Sequence, residues 1–353
     1  MPSSPEQQPQ LTDIKESEEV KKAPGFELEK SKELDQFAAE ANKIAEAIEE
    51  DKPVLLGQVL ELREALEKMI ESDPRIEAKR LFGESYMGPD EIEAYFTVQE
   101  ENGRVEKLFE YTPEERKRIN QMLREKLDDP QIKDLIARTP REELRERFQL
   151  FLFPDKFKDG TPVTMKSLND KFSAEMEKRG RGSLMYKHPR EKEWYYNDDR
   201  RENFFTTNSN LLSWKLLSRS TLKGSMGHDC FEETKFLREY LRQNNLAGED
   251  ELAECSDERL TELKQLNGQD WKEASRQLSE LKINKNYRIN PLEAIFMHAI
   301  KQSEIYGRAA RTAWRSSYGG MLSVGEYGQG MAIGADYDNL DKEISNVGIV
   351  LSL

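Results

Sequence analysis

The stretch WRSSYGGMLSVGEYGQGMAIGADYD, Trp314 to Asp338, limits what this chain can fold into more than any other. It consists of Gly, Ser, Tyr and small apolar residues, with almost no charge until its end. Its glycines break any helical apolar period, so it cannot continue the Glu-, Lys- and Leu-rich pattern that precedes it. GMLSVGEYG, GMAIGAD and the closing NVGIVLSL read instead as three short strands separated by turns. Within them GEYGQG, Gly325–Gly330, has the glycine spacing of a phosphate cradle. A phosphate loop feeds a helix N-terminus and this one feeds a strand, so it reads as a hairpin turn.

Upstream, helix dominates. Leu34, Phe37, Ala38, Ala41, Ile44, Ala45 and Ile48 recur at three- and four-residue spacing, and Pro53 separates them from a second helix over Val54–Met69. Thr112 and Pro113, followed by Glu114 and Glu115, form a helix start, and TPREEL at Thr139 repeats it. EENGR, residues 100–104, ahead of the first of these starts is a turn.

Near residue 148 the character changes. The apolar run Leu150–Phe153 and a Lys-Asp-Gly turn at Lys158–Gly160 predict a strand and a loop, and SWKLLSR, Ser213–Arg219, a second strand. Cys230–Asn245 and Asp270–Asn284 are amphipathic helices, the latter capped by Asp270; Asn290 and Pro291 start another that runs to about Gly307. At roughly 150 residues per domain, the length allows two domains and a disordered segment. The expected organisation is a disordered tail over 1–25, a mainly α-helical region over 26–147, and an α+β domain over 148–353 that ends in a short antiparallel meander.

Charge narrows the partners. A net charge of −14 argues against binding a phosphate backbone, which needs a basic face. The basic run Lys178–Lys192 reads as a solvated loop. No segment reaches the ~18 consecutive apolar residues of a membrane span, and the N-terminus has no apolar signal core. A cytoplasmic location is the default expectation. Cys230 and Cys255 are too few for a disulfide framework and are expected to be reduced.

Catalytic signals are sparse. GHDC, Gly227–Cys230, sets a His, an Asp and a thiol side by side, but sequence neighbours do not converge on one point and no second His/Cys cluster completes a site. His298 falls inside a helix and reads as a packing residue. The aromatic and acidic loop Trp194–Phe205, with Asp198, Asp199, Arg200 and Arg201, reads as a cover over the core. A rival reading makes it, with His228, the site of an enzyme of unknown type. A third makes the N-terminal helices an oligomerising scaffold. Asp336, Asp338 and Asp341 could supply oxygen ligands to calcium, although neither metal nor cofactor is expected.

The tail has the composition of an antibody paratope: Tyr gives contact area at little entropic cost, while Ser, Gly, Asn and Asp give adaptable hydrogen bonds. YRINPLEAIFMHAI (Tyr287–Ile300), WRSS (Trp314–Ser317), GMLSVG and NVGIVLS (Asn346–Ser352) resemble the second half of a C-type-lectin-like domain of the formylglycine-generating-enzyme-like branch. DGTPVTMKSLN, SWKLLSR, EETKFLREYL and DWKEASRQLSELKIN extend a broader likeness to proteins of small-genome bacteria over about residues 75–353. Their closing cassette looks like the variable region of diversity-generating retroelement target proteins, in which adenines of a C-terminal repeat are randomised.

That resemblance implies a lectin-like fold for 148–353 and a non-enzymatic recognition protein with an unknown macromolecular ligand. Its binding residues would be Ser316, Ser317, Tyr318, Tyr327, Asp336, Tyr337, Asp338 and Asn339, all encodable by mutating the adenines of an AAC codon. Met321, Glu326, Gln329, Met331, Lys342 and Glu343 are not, and must be fixed. With no cysteine after Cys255, formylglycine chemistry is not expected.

Overall fold

The computed structural model describes residues 73–185 apart from 101, then 203–300, 309–315, 321–327, 330–335, 340–341 and 347–353. The expected tail and the first two helices, within residues 1–72, lie outside them. The described residues belong to one compact unit, Met69–Leu353, so the change of character near residue 148 falls inside it. The unit mixes helices and sheets, an α+β architecture.

Helix α1 (Pro74–Phe82) begins where the Asp73 carboxylate accepts the Arg75 N–H at 2.9 Å, and stops at Gly83, whose φ of 56° suits a residue without Cβ. Strand β1 (Tyr86–Met87), helix α2 (Pro89–Tyr95) and the hairpin of β2 (Thr97–Gln99) with β3 (Val105–Lys107) follow. The EENGR turn therefore joins two strands inside a region expected to be helical. Next come α3 (Pro113–Asp128), α4 (Pro130–Arg138) and α5 (Arg141–Arg147). The last of these is capped by Pro140 rather than Thr139, because the Thr139 hydroxyl donates instead to the Leu135 carbonyl at the end of α4.

Strand β4 (Phe148–Phe153) is the centre of the fold. It pairs parallel with β1 on one edge and antiparallel with β5 (Ser213–Ser218) on the other, Phe148 opposite Ser218 and Phe153 opposite Ser213. All six residues are buried because both faces are covered. The two-residue period then sorts its side chains between two cores. Phe148, Leu150 and Leu152 join Ile119, Leu123, Trp214 and Leu237 on one side. Phe151 and Phe153 join Phe96, Phe172 and Phe296 on the other.

The second half supplies most of the covering helices: α6 (Met165–Lys178), α7 (Asn203–Thr206), α8 (Cys230–Gln243), α9 (Glu249–Glu254), α10 (Asp257–Asn267), α11 (Trp271–Glu280), α12 (Lys282–Tyr287) and α13 (Pro291–Ala299). The expected helix Asp270–Asn284 is thus two, α11 and α12, meeting at the extended Leu281. Every residue of α13 is buried, Glu293 and His298 included, and the rest of the helix is apolar. Its Phe296 ring lies 5.2–6.3 Å from those of Phe96, Phe109, Phe151 and Phe153. Burying such a side chain contributes roughly 1.5–3 kcal/mol.

A second sheet, in the order β8-β7-β6-β9, is built from β6 (Ala309–Arg315), β7 (Met321–Tyr327), β8 (Gly330–Ala335) and β9 (Val347–Gly348). The three strands expected in the tail are present, and Tyr327 opposite Gly330 closes the hairpin expected at GEYGQG. The closing segment then joins the two sheets. Val347 and Gly348 pair parallel with Ala309 and Ala310, while Leu353 exchanges backbone hydrogen bonds with Leu216 of β5 and the Leu351 carbonyl accepts the Ser218 N–H.

Candidate functional site

The C-terminal meander is positioned by a buried charge cluster. Thr234 and Glu233 lie in the first turns of α8, where Asp229 caps the helix by accepting the Glu232 N–H at 2.7 Å. The Glu233 carboxylate meets Arg288 at 2.8 Å and Arg311 of β6 at 2.7 Å, and all three side chains are fully out of solvent. The Arg311 contact is Coulombic, its angle outside hydrogen-bond geometry. Arg288 also donates Nε–H to the Asn284 carboxamide at 2.7 Å. One carboxylate thereby ties together α8, the residue that follows α12, and the first strand of the meander. Sequence reading missed all three residues: Arg311 sits in AARTAWR, a segment whose two arginines and three alanines give no strand alternation.

Register fixes the ends of the meander. Arg315 pairs with Met321, and Leu322 with Ala335, so Arg315, Met321 and Ala335 share one end. Tyr327 and Gly330 share the other. Ser316, Ser317, Tyr318, Asp336, Tyr337, Asp338 and Asn339 lie outside the described residues, but the strand residues that flank both groups stand at that first end. Tyr327, whose backbone is described, stands at the opposite end from those flanks. Pairing order alone separates it from those flanks, and composition carries no trace of that.

The flanks are firmly held. Leu340, just after Asn339, is buried, and its carbonyl accepts the Cys230 N–H at 2.9 Å. The Trp314 N–H donates to the Thr312 hydroxyl at 3.2 Å, and its half-buried indole packs against the second core. Arg315 donates to the Lys272 carbonyl of α11 at 3.3 Å. Burial and the nearby Arg276 guanidinium hold Arg315 below the usual arginine range. Trp314 also walls a cavity of about 270 Å³ with Lys215, Arg288 and Glu293.

The other candidate groups do not assemble a reaction centre in what is described. His228 places Nε2 3.0 Å from the Gly224 carbonyl and Nδ1 3.4 Å from Glu232, with its ring against Phe236. Asp198 and Asp199, the acids required by the enzyme reading, lie outside the described residues. Cys230 and Cys255 are buried and form no disulfide with each other. Asp341 accepts from the Asn267 carboxamide at 2.8 Å and lies 3.7 Å from Lys264, so a protein cation already faces one of the three acids considered for calcium; Asp336 and Asp338 lie outside the described residues. Among the described residues, no three His, Cys, Asp or Glu side chains group as metal ligands, and no helix is long and apolar enough to cross a membrane.

Comparison of the chain with family models, curated proteins and solved structures returned no match.

Proposed function

We propose that this chain is a non-enzymatic recognition protein whose C-terminal half is a C-type-lectin-like scaffold. Its binding surface is formed by Ser316–Tyr318 and Asp336–Asn339 and is diversified in nature. The observation that carries the reading is the register of β6, β7 and β8: the flanks of both segments, Arg315, Met321 and Ala335, stand at one end of one sheet. Loops that carry Tyr, Ser and Asp bind well when a rigid framework holds their ends. Here the framework is the Glu233–Arg311 contact below and the Leu340 anchor beside. Tyr327 leaves the surface, because it stands at the far end of the sheet. The lectin-like reading is supported by the order of parts: an Asn290-capped helix, the Trp314 strand, a meander, and a final segment that returns to pair with β6.

Sequencing the 3′ end of the gene across one natural population tests the proposal. Substitutions should concentrate on codons 316–318 and 336–339, with Trp314 and Gly348 constant. An invariant end, or changes spread evenly over the strands, would refute it.

A further inference from the structure

Lys126 of α3, Lys215 of β5 and Lys285 of α12 meet at two adjoining cavities of about 270 Å³ each. Lys215 and Lys285 line both, and Lys126 lines the second. None of the three ammonium groups makes a hydrogen bond or ion pair with another described residue. The acids on the same walls are already committed. Asp129 caps α4 by accepting the Gln131 and Ile132 N–H groups at 2.9 and 3.2 Å. Glu280 pairs with Arg276 at 2.6 Å. Glu293 accepts the Asn290 N–H at 3.0 Å, and burial holds its carboxyl above the ordinary carboxylate range, toward the neutral form. Arg288 is spent on Glu233. Around the two cavities Lys126, Lys215, Lys285 and Arg288 outnumber Asp129, Glu280 and Glu293, although Asp129 acts on Lys126 and Lys215 on Glu293. Burial and the proximity of Lys215 disfavour the charged form of Lys126, with Asp129 opposing them, so an anion in the cavity would favour it.

We infer that the cleft shared by Lys126, Lys215 and Lys285 binds a small multivalent oxyanion of the phosphoryl class. Ammonium groups act as compact point charges that suit phosphoryl oxygens. A single carboxylate would leave most of the positive charge unmet, whereas a phosphate dianion or a diphosphate matches it. Lys285 is exposed and marks the way in. Trp314, which also lines the first cavity, would supply apolar contact to whatever group the phosphates carry. The inference does not depend on the proposed recognition surface, although Trp314, which lines the first cavity, lies in the strand that leads to Ser316.

Titration calorimetry of the full chain with sodium pyrophosphate, at fixed ionic strength and with acetate as the control, tests the inference. The expected result is one saturable site, with affinity lowered about tenfold in K215Q and again in K285Q, as for loss of a charge-assisted contact. K285Q changes an exposed residue and should melt as the parent does, which separates lost binding from lost folding. Heats equal to those of acetate, or variants that bind pyrophosphate as the parent does, would overturn it. Adenosine monophosphate and inorganic phosphate then distinguish the source: tighter binding of the nucleotide with quenching of tryptophan fluorescence indicates a phosphate ester, and equal binding indicates the free anion.

Discussion

Arg311 and Glu233, remote in sequence, meet at 2.7 Å with neither side chain reaching solvent. Arg288 approaches the other carboxylate oxygen at 2.8 Å, so removing the acid would take the counter-charge from two buried guanidinium groups. Replacing Glu233 with Ala should cost about 3–5 kcal/mol, the range for breaking a buried ion pair from one side. Glu233→Gln keeps the shape without the charge and should lose most of the same stability. Urea unfolding measures both, and a Gln variant within about 1 kcal/mol of the parent would show that packing, rather than charge, holds the meander in place.

Gly348 is required for its size. A Cβ there would stand 2.8 Å from Ser225 Oγ and 2.9 Å from Met226 Cγ. The Ser225 hydroxyl is committed, donating to the Leu222 carbonyl at 2.8 Å and accepting the Ile349 N–H at 3.0 Å. Gly348→Ala is therefore expected to cost about 1–3 kcal/mol, as overpacking does. Removing the hydroxyl as well should not restore stability, since the buried Ile349 N–H then loses its acceptor. Thermal melts of the single variant and of the double variant with Ser225→Ala decide this.

Glu293 sets a pH dependence of defined sign. Burial raises its carboxyl above the ordinary value, with Lys215 and the Asn290 N–H opposing that shift. A raised pKa in the folded state contributes stability below the unfolded value, near 4.5, that is lost as pH rises through the folded value. Glu293→Gln keeps an acceptor for the Asn290 N–H and removes the charge. Its melting temperature should exceed the parent's by a few degrees at pH 7 and converge with it near pH 4. A variant less stable at pH 7 would contradict the assignment.

Both thiols should be inert in the folded chain. Burial pushes the Cys255 thiol up to about 12, leaving on the order of one part in ten thousand as thiolate at pH 8. Cys230 is buried as well. A thiol reagent should label neither under native conditions and both in denaturant; rapid native labelling would reveal opening of the first core.

Sequence alone determined the features that are settled within a few residues. Thr112, Asp270 and Asn290 each accept the N–H three residues on, at 3.2, 3.1 and 2.9 Å, because a short polar side chain ahead of a helix has that donor within reach whatever surrounds it. Phe148–Phe153 and Met321–Tyr327 form strands where apolar or glycine-broken runs cannot hold a helical period. Tertiary structure decided the rest. The hairpin strands Thr97–Gln99 and Val105–Lys107 and the strand Ala309–Arg315 carry little apolar alternation and are strands because of the partners they pair with. Arg311 of β6 meets Glu233 of α8 inside, a pairing between two separate elements. Lys126, Lys215 and Lys285 become one cluster only when α3, β5 and α12 close around a cavity. Tyr327 parts from the flanks of the other seven candidates through strand register alone. Helix starts are local hydrogen-bond problems, whereas charge pairing and register depend on distances that exist only once the chain has folded.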